Sequence, residues 1–286
     1  MDSQKNYPRN FSFEFFPPKN EQAAANLRDT VEKLAKLNPS FCSVTFGAGG
    51  STREKTFETV VEIQENTGIE AAPHISCIAS TRENVREVLD AYLAKGIRHI
   101  VALRGDMPSG MMSAGEFRHA NELVEFIRAE TGGHFHIEVA AYPEMHPQAA
   151  NFDTDLRNFK RKVEAGANTA ITQYFYNPGA YFRFVGDCEK LGIDLPIVPG
   201  IMPITNYTQL SRFSESCGAE IPRWIRKRLE AFGDDRASIR AFGVEVVTIL
   251  CQRLLEQGAP GLHFYTLNQS EACLAIWENL GLSRAD

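Results

Sequence analysis

Eight short apolar runs punctuate the chain, at 11–16, 41–46, 70–77, 98–104, 135–142, 169–175, 195–201 and 261–267. Several are apolar almost throughout, and most are rich in Val, Ile, Phe or Thr, as expected of strands covered on both faces in a parallel sheet. Between them, apolar residues fall three and four apart, as at Leu27, Val31, Leu34 and Leu37, or at Val85, Val88, Leu89 and Tyr92. That spacing predicts amphipathic helices. The helical segments close on a repeated signal, a glycine followed by an apolar residue: Gly68-Ile69, Gly96-Ile97, Gly166-Ala167, Gly192-Ile193 and Gly258-Ala259. A glycine past the last helical turn takes the left-handed conformation without steric cost, and the next residue enters a strand. Eight strand–helix units in 286 residues predict an α/β protein, a (β/α)8 TIM barrel rather than a sandwich or an open doubly wound sheet. The stretch 205–257 is too long for one helix. Its breaks near 218–222 and 233–235 predict three, so that a single domain carries extra helices before its last strand. Residues 11–286 read as that one barrel, and the polar residues 1–10 as a flexible lead-in.

Composition narrows the function. With 43% apolar and 23% charged residues the chain holds too much apolar material to be disordered. A net charge of -6, with no basic stripe, argues against nucleic acid as a partner. No apolar run reaches the roughly 18 residues of a membrane span, and residues 1–10 lack the apolar core of a secretory signal. A cytoplasmic protein with small-molecule partners is expected. The six cysteines, Cys42, Cys77, Cys188, Cys217, Cys251 and Cys273, show no CxxC pair and read as reduced, buried thiols rather than a zinc site.

Barrel enzymes place their chemistry at the C-terminal ends of the strands, and ionisable or polar groups recur there. Glu14 lies among aromatic residues, surroundings that should raise a carboxylate's pKa and suit it to donate a proton; the alternative is an ion pair inside the barrel. Thr45 precedes the run Gly47-Ala48-Gly49-Gly50-Ser51, which could hold an anion at a helix N-terminus but does not match the dinucleotide fingerprint. Arg104-Gly105-Asp106 offers a fork for phosphate or carboxylate, a backbone open to a flat ligand, and an anion; a structural salt bridge is the other reading. His74, Glu144 and His146 lack a metal-ligand spacing, so no metal is expected there. Lys160-Arg161-Lys162 could reach a pyrophosphate or simply form a solvated face, whereas Arg223, Arg226, Lys227 and Arg228 read as solvated. Taken by its spacing alone, Phe213 reads as core. Gln173, Tyr265 and Asn268 complete the polar strand ends.

In these residues the chain resembles the bacterial type of methylenetetrahydrofolate reductase. The resemblance rests on Phe11-Ser12-Phe13-Glu14-Phe15-Phe16-Pro17-Pro18, Ala72-Pro73-His74, the segment 98–106 ending in Arg104-Gly105-Asp106, and Ala140-Ala141-Tyr142-Pro143-Glu144. It continues through Lys160-Arg161-Lys162, Ile171-Thr172-Gln173 and His263-Phe264-Tyr265-Thr266-Leu267-Asn268, in order and over almost the whole chain. The resemblance implies an FAD-binding barrel that uses NADH to reduce 5,10-methylenetetrahydrofolate to 5-methyltetrahydrofolate, feeding methionine synthesis, with the two reactants taking turns at one flavin. Glu14 matches the general acid that opens the folate's five-membered ring to an iminium, and Asp106 the carboxylate beside flavin and pterin that influences redox poise. FAD-contacting positions fall on Thr45, Phe46, Ala48, His74, Arg104, Gly105, Asp106, Ala120, Tyr142, His146, Ala149, Asp155, Asn158, Arg161 and Lys162. Gln173, Gln209 and Phe213 fall where the family holds folate and NADH, and a homotetramer is implied.

Three features depart from the family pattern: the segment 107–117 is longer, His119 stands where tyrosine is frequent, and Gln269 where arginine is common. Rival readings are another barrel flavoprotein such as a proline dehydrogenase, a metal-dependent lyase using His74, Glu144 and His146, and a folate- or flavin-binding protein without turnover.

Overall fold

The computed structural model describes residues 1–46, 50–105 and 115–282. Its strands are β1 (Asn10–Phe15), β2 (Phe41–Val44), β3 (Glu70–Ser76), β4 (His99–Leu103), β5 (His136–Ala141), β6 (Thr169–Thr172), β7 (Ile197–Val198), β8 (Gly200–Ile201) and β9 (Gly261–Tyr265). All pair in parallel, in the order β7-β6-β5-β4-β3-β2-β1-β9-β8. The two ends of that order, β7 and β8, are separated in the chain by Pro199 alone. They are one stave, interrupted because proline has no N–H to donate to the ladder, while the Pro199 carbonyl still accepts from His263 N at 3.0 Å. The sheet therefore closes into the eight-staved barrel that the run pattern predicts.

Each of the eight apolar runs supplies one stave, and the helices fill the intervals: α1 (Glu21–Ala35), α2 (Gly50–Thr67), α3 (Arg82–Ala94), α4 (Ala120–Thr131), α5 (Phe152–Glu164) and α6 (Pro178–Lys190). Before β9 come three in succession, α7 (Tyr207–Cys217), α8 (Arg223–Phe232) and α9 (Arg236–Glu256), and α10 (Glu271–Asn279) follows it. The helix-closing glycines adopt the conformation that their position requires, with φ of +71° at Gly68 and +114° at Gly166.

Strand parity divides the core in two. On β1 the odd positions face the helices: Phe11 and Phe13 lie 5.1 and 6.1 Å from the Trp277 ring of α10, and Phe13 stacks on Phe264 at 5.6 Å. Side chains alternate along a strand, so Ser12 and Glu14 point into the barrel. The barrel interior holds an apolar layer of Phe41, Ala72, Val101 and Ile171, distinct from the large core between barrel and helices. Polar side chains lie on either side of it.

The lead-in expected to be flexible is instead built into the barrel's N-terminal end. A 3-10 turn spans Gln4–Asn6, and Gln4, 1% exposed, donates to Leu195 O at 3.1 Å and accepts from Ile197 N at 2.7 Å. A single polar side chain satisfying buried backbone leaves no periodic trace, which is why composition suggests a loose segment. Among the described residues no helix is long and apolar enough to cross a membrane, and all six cysteines are free thiols, five of them buried.

Candidate functional site

A cleft of about 670 Å³ opens at the C-terminal ends of the strands, within the range typical of small-molecule sites. Glu14 (β1), His74 (β3), Gly105 (after β4), Gln173 (after β6) and Tyr265 (β9) bring the strand ends to its wall, and Thr45, Phe46, Tyr142 and Phe213 complete it from the loops and α7.

Glu14 is 8% exposed. Its Oε2 lies 3.3 Å from His74 Nε2 and 3.6 Å from His263 Nε2, contacts of charge and imidazole without hydrogen-bond alignment, since both ring nitrogens lack a hydrogen-bond partner. Burial pushes the His74 imidazolium down; the Glu14 charge opposes that shift and His263 adds to it. His74 is therefore a neutral ring beside the carboxylate. Below Glu14, Ser12 Oγ and His263 Nδ1 share a hydrogen bond of 2.7 Å. Ser43, in register with Glu14 on β2, buries an Oγ that has no partner.

The loop after β9 fixes the end of β1. Thr266 Oγ1 donates to Glu14 O at 2.6 Å, and the Asn268 side chain accepts from Phe16 N at 2.8 Å and donates to Phe16 O at 2.9 Å. Leu267 and Asn268 have φ of +52° and +57°, the left-handed turn that lets Asn268 reach back. Tyr265 OH donates to Thr172 O at 2.7 Å, and burial, with Glu14 nearby, keeps that phenol protonated.

Gly105 also earns its place, with φ of +82° and a position where a Cβ would come within 1.9 Å of Ser76 Oγ. Any side chain there would press into the cleft wall. Arg104 projects sideways, donating to Gly105 O at 3.2 Å and Gln148 Oε1 at 2.6 Å.

The remaining sequence-predicted positions form a ledge running from the cleft along α5. Tyr142 and His146 meet edge to face at 4.5 Å, Asp155 accepts from His146 N at 2.8 Å, and Arg161 donates to Asn158 at 3.2 Å. Ala149 N donates to His146 O at 2.9 Å, which holds it in the same loop. Lys162 donates to Ala140 O, and burial lowers its ammonium to about 8, with Asp155 pulling the other way. Lys160 turns away to Leu191 O and Glu164. Ala120 opens α4 and Gln209 lies exposed on the first turn of α7, so neither lines the cleft itself. Asp106 and Ala48 lie outside the described residues.

Glu144 accepts from Glu220 N and His146 Nδ1 accepts from Gln148 N, contacts that shape their loop, while His74 lies on β3 beside Glu14. Arg223, Arg226, Lys227 and Arg228 are exposed, as their spacing suggests. Phe213 is 38% exposed and lines the cleft instead of entering the core, because α7 turns that face towards the mouth. Sequence reasoning missed Ser12, Ser43 and His263 beneath Glu14, and Arg53, Tyr174 and Cys217 on the cleft wall. Parity held the signal for two of them: Ser12 precedes Glu14, and His263 precedes Tyr265, by the two residues that return a strand to the same face.

Comparison with known proteins identifies the family. The family profile described as Methylenetetrahydrofolate reductase matches residues 2–281. The chain is 41% identical over 273 residues to 5,10-methylenetetrahydrofolate reductase of Salmonella typhimurium, covering 96% of this chain and 91% of that one. It is 39% identical over 285 residues to Methylenetetrahydrofolate reductase (NADH) 1 of Arabidopsis thaliana, covering 95% of this chain and 48% of the plant protein. A solved structure from Clostridium thermocellum, described as an uncharacterized protein that binds two copies of 5-methyl-5,6,7,8-tetrahydrofolic acid, shares the fold with a TM-score of 0.66 at 15% identity, covering 98% and 95% of the two chains. From residue 2 to residue 281, with Glu14 and His74 at the mouth of a closed barrel, the chain belongs to the methylenetetrahydrofolate reductase family, whose members are oxidoreductases.

Proposed function

We propose that this protein reduces 5,10-methylenetetrahydrofolate to 5-methyltetrahydrofolate with NADH as reductant and FAD as resident cofactor. The observation that carries the reading is Glu14, a carboxylate held at the floor of a strand-end cleft beside a neutral imidazole. NADH finds support in the printed names of the plant relatives, and folate in the family to which the chain belongs.

The residues present fit FAD. His74 Nε2 is buried at the cleft wall with no hydrogen-bond partner, ready for a polar ring edge. Gly105 leaves the end of β4 bare of side chain, as a flat ligand requires. Arg104, Arg161 and Lys162 supply cationic donors along the α5 ledge for a pyrophosphate, with Tyr142 and His146 as ring surfaces. When bound, FAD would supply the two-electron store that lets NADH and folate use one pocket in turn, a ping-pong order.

The chain's own residues do the rest. In its protonated, carboxylic acid form Glu14 donates a proton to the departing ring nitrogen of the folate and is left as the carboxylate, and its burial keeps bulk water from competing for that proton. His74 and His263 flank the carboxylate, and the clasp of Thr266 and Asn268 on the β1 end holds its backbone in place. Gln173 offers its amide to a pterin or a nicotinamide, and Phe213 an exposed ring on which either can stack. Asp106 is assigned the flavin- and pterin-side carboxylate by resemblance. Delivery of methyl groups for methionine, assembly as a homotetramer and a cytoplasmic location belong to the same reading.

The test is anaerobic spectroscopy of the purified holoprotein. NADH is expected to bleach the flavin and methylenetetrahydrofolate to restore it. Glu14→Gln should keep the first step and slow the second by about 10²–10⁴-fold, the usual worth of general acid catalysis. A colourless protein that takes up no FAD, or a variant that loses both steps together, would overturn the assignment.

A further inference from the structure

A second polar cluster lies at the opposite end of the barrel. His99 and His136 open β4 and β5 and pair in register; Glu138 follows two residues along β5, on the same inward face. The layer of Phe41, Ala72, Val101 and Ile171 lies between this cluster and Glu14, with the Phe41 ring 4.1 Å from His99. The cluster is therefore no part of the cleft chemistry. Glu138 is fully buried, yet its Oε2 has no hydrogen-bond partner, a costly arrangement for a carboxylate.

The donor geometry is that of ligands. Glu138 Oε1 lies 3.0 Å from His99 Nε2 and 3.5 Å from His136 Nε2, and the three donor atoms fall within 4.8 Å of one another. Bonds of about 2.0–2.1 Å in a tetrahedral zinc site place neighbouring ligand atoms about 3.3–3.4 Å apart. Two edges of the triangle already bracket that value, and His136, whose side chain is 44% exposed, has room to close the third by exchanging the 3.0 Å hydrogen bond between its Nε2 and Thr169 Oγ1 for the ion. Glu70 Oε2 stands 3.6 Å from His99 Nδ1, on the far side of the ring. A carboxylate behind a ligating imidazole is the recurring support of such sites, fixing tautomer and ring orientation.

We propose that His99, His136 and Glu138 bind a divalent ion of the zinc class at the N-terminal end of the barrel, with Glu70 positioning His99. Two imidazoles and a carboxylate suit zinc or cobalt, and leave a fourth position for water. The half-exposed His136 and exposed Glu70 give the ion a route from solvent. The ion would tie the first residues of β4 and β5 together and serve stability rather than turnover.

The test is titration of untagged, chelator-treated holoprotein with Co²⁺, followed by displacement with Zn²⁺. One saturable equivalent with the visible bands of low-coordinate cobalt is expected, together with a rise in unfolding temperature. His136→Ala should abolish the bands while flavin reduction by NADH is unchanged, and Glu70→Gln should weaken binding about 10–100-fold. Absence of saturable binding in the parent protein, or equal binding by parent and His136→Ala, would overturn the proposal. His136 is exposed enough for that variant to fold even where Glu138→Gln does not.

Discussion

Glu14 sits on a strand whose odd positions are phenylalanines, and that parity puts the carboxylate inside the barrel with Ser12 below it. Its surroundings are polar but sparingly hydrogen-bonded, with unpartnered atoms on Ser43, His74 and His263. Lys162 is the counterpart on the α5 ledge. Its side chain is half-buried, but its ammonium is taken out of water, and burial lowers it from 10.5 to about 8. An unfolded chain keeps that proton to higher pH, so this group's contribution to stability rises with pH between about 8 and 10.5. Cofactor binding has the opposite sign, because the charge that attracts a pyrophosphate is lost from the folded protein around pH 8. The affinity of the flavin-free protein for FAD is therefore expected to fall as pH rises from 7 to 9. Lys162→Met should weaken binding at pH 7 and flatten that dependence. A hydrogen bond to a charged group is worth about 1.5–3 kcal/mol, so the loss should be roughly 10–100-fold in Kd, read by flavin fluorescence.

At the scale of elements, the side chains that start helices also aim the site. Asn206 caps α7 by accepting from Gln209 N at 2.9 Å, and α7 carries Phe213 to the cleft wall. Removing such a cap costs about 1 kcal/mol. Asn206→Ala should lower the unfolding temperature by about 2–4 °C and raise KM for NADH and folate, with flavin reduction at saturating NADH little changed. Steady-state kinetics and calorimetry check both parts. These elements were largely legible in the chain, because buried parallel strands and glycine-stopped helices each have a local cause: eight apolar runs became eight staves, and the breaks at Gly218 and Gly233 became helix ends. The site was legible where a strand end carried an unexpected ionisable group, as at Glu14, His74 and Gln173. It was hidden where the partner comes from a distant strand. Ser12 meets His263 across 251 residues, and His99, His136 and Glu138 begin strands that look apolar when read as runs. Phe213 was misread by spacing because an aromatic residue on a helix is core or platform according to what the helix faces, and only tertiary placement decides that.

At the scale of the molecule, closure makes a single pocket out of eight strand ends, and the closing stave is the least regular. It is broken at Pro199 into two segments of two residues each, so fewer ladder hydrogen bonds hold it than its neighbours. Other groups compensate. Thr172 Oγ1 accepts from Gly200 N at 2.9 Å, Tyr181 OH donates to Ile197 O at 2.6 Å, and Gln4 takes Ile197 N at 2.7 Å. Gln4 thus ties the chain's first turn to the stave that completes the barrel, 193 residues away. Gln4→Ala would leave the buried Ile197 N–H and Leu195 carbonyl without partners, and a stranded buried donor costs about 1–3 kcal/mol. Lys5→Ala, one residue on, removes an exposed ion pair with Asp2 and the contact of a partly exposed stem with Gly258, but strands no buried polar group, and should change stability by less than about 0.5 kcal/mol. Denaturant unfolding of the two variants separates the cases. If residues 1–10 were a passive lead-in, both substitutions would be equally silent. If they seal the barrel, Gln4→Ala alone will shift the midpoint, and hydrogen exchange will quicken at Ile197 before it does in β1 to β5, whose ladders do not depend on that contact.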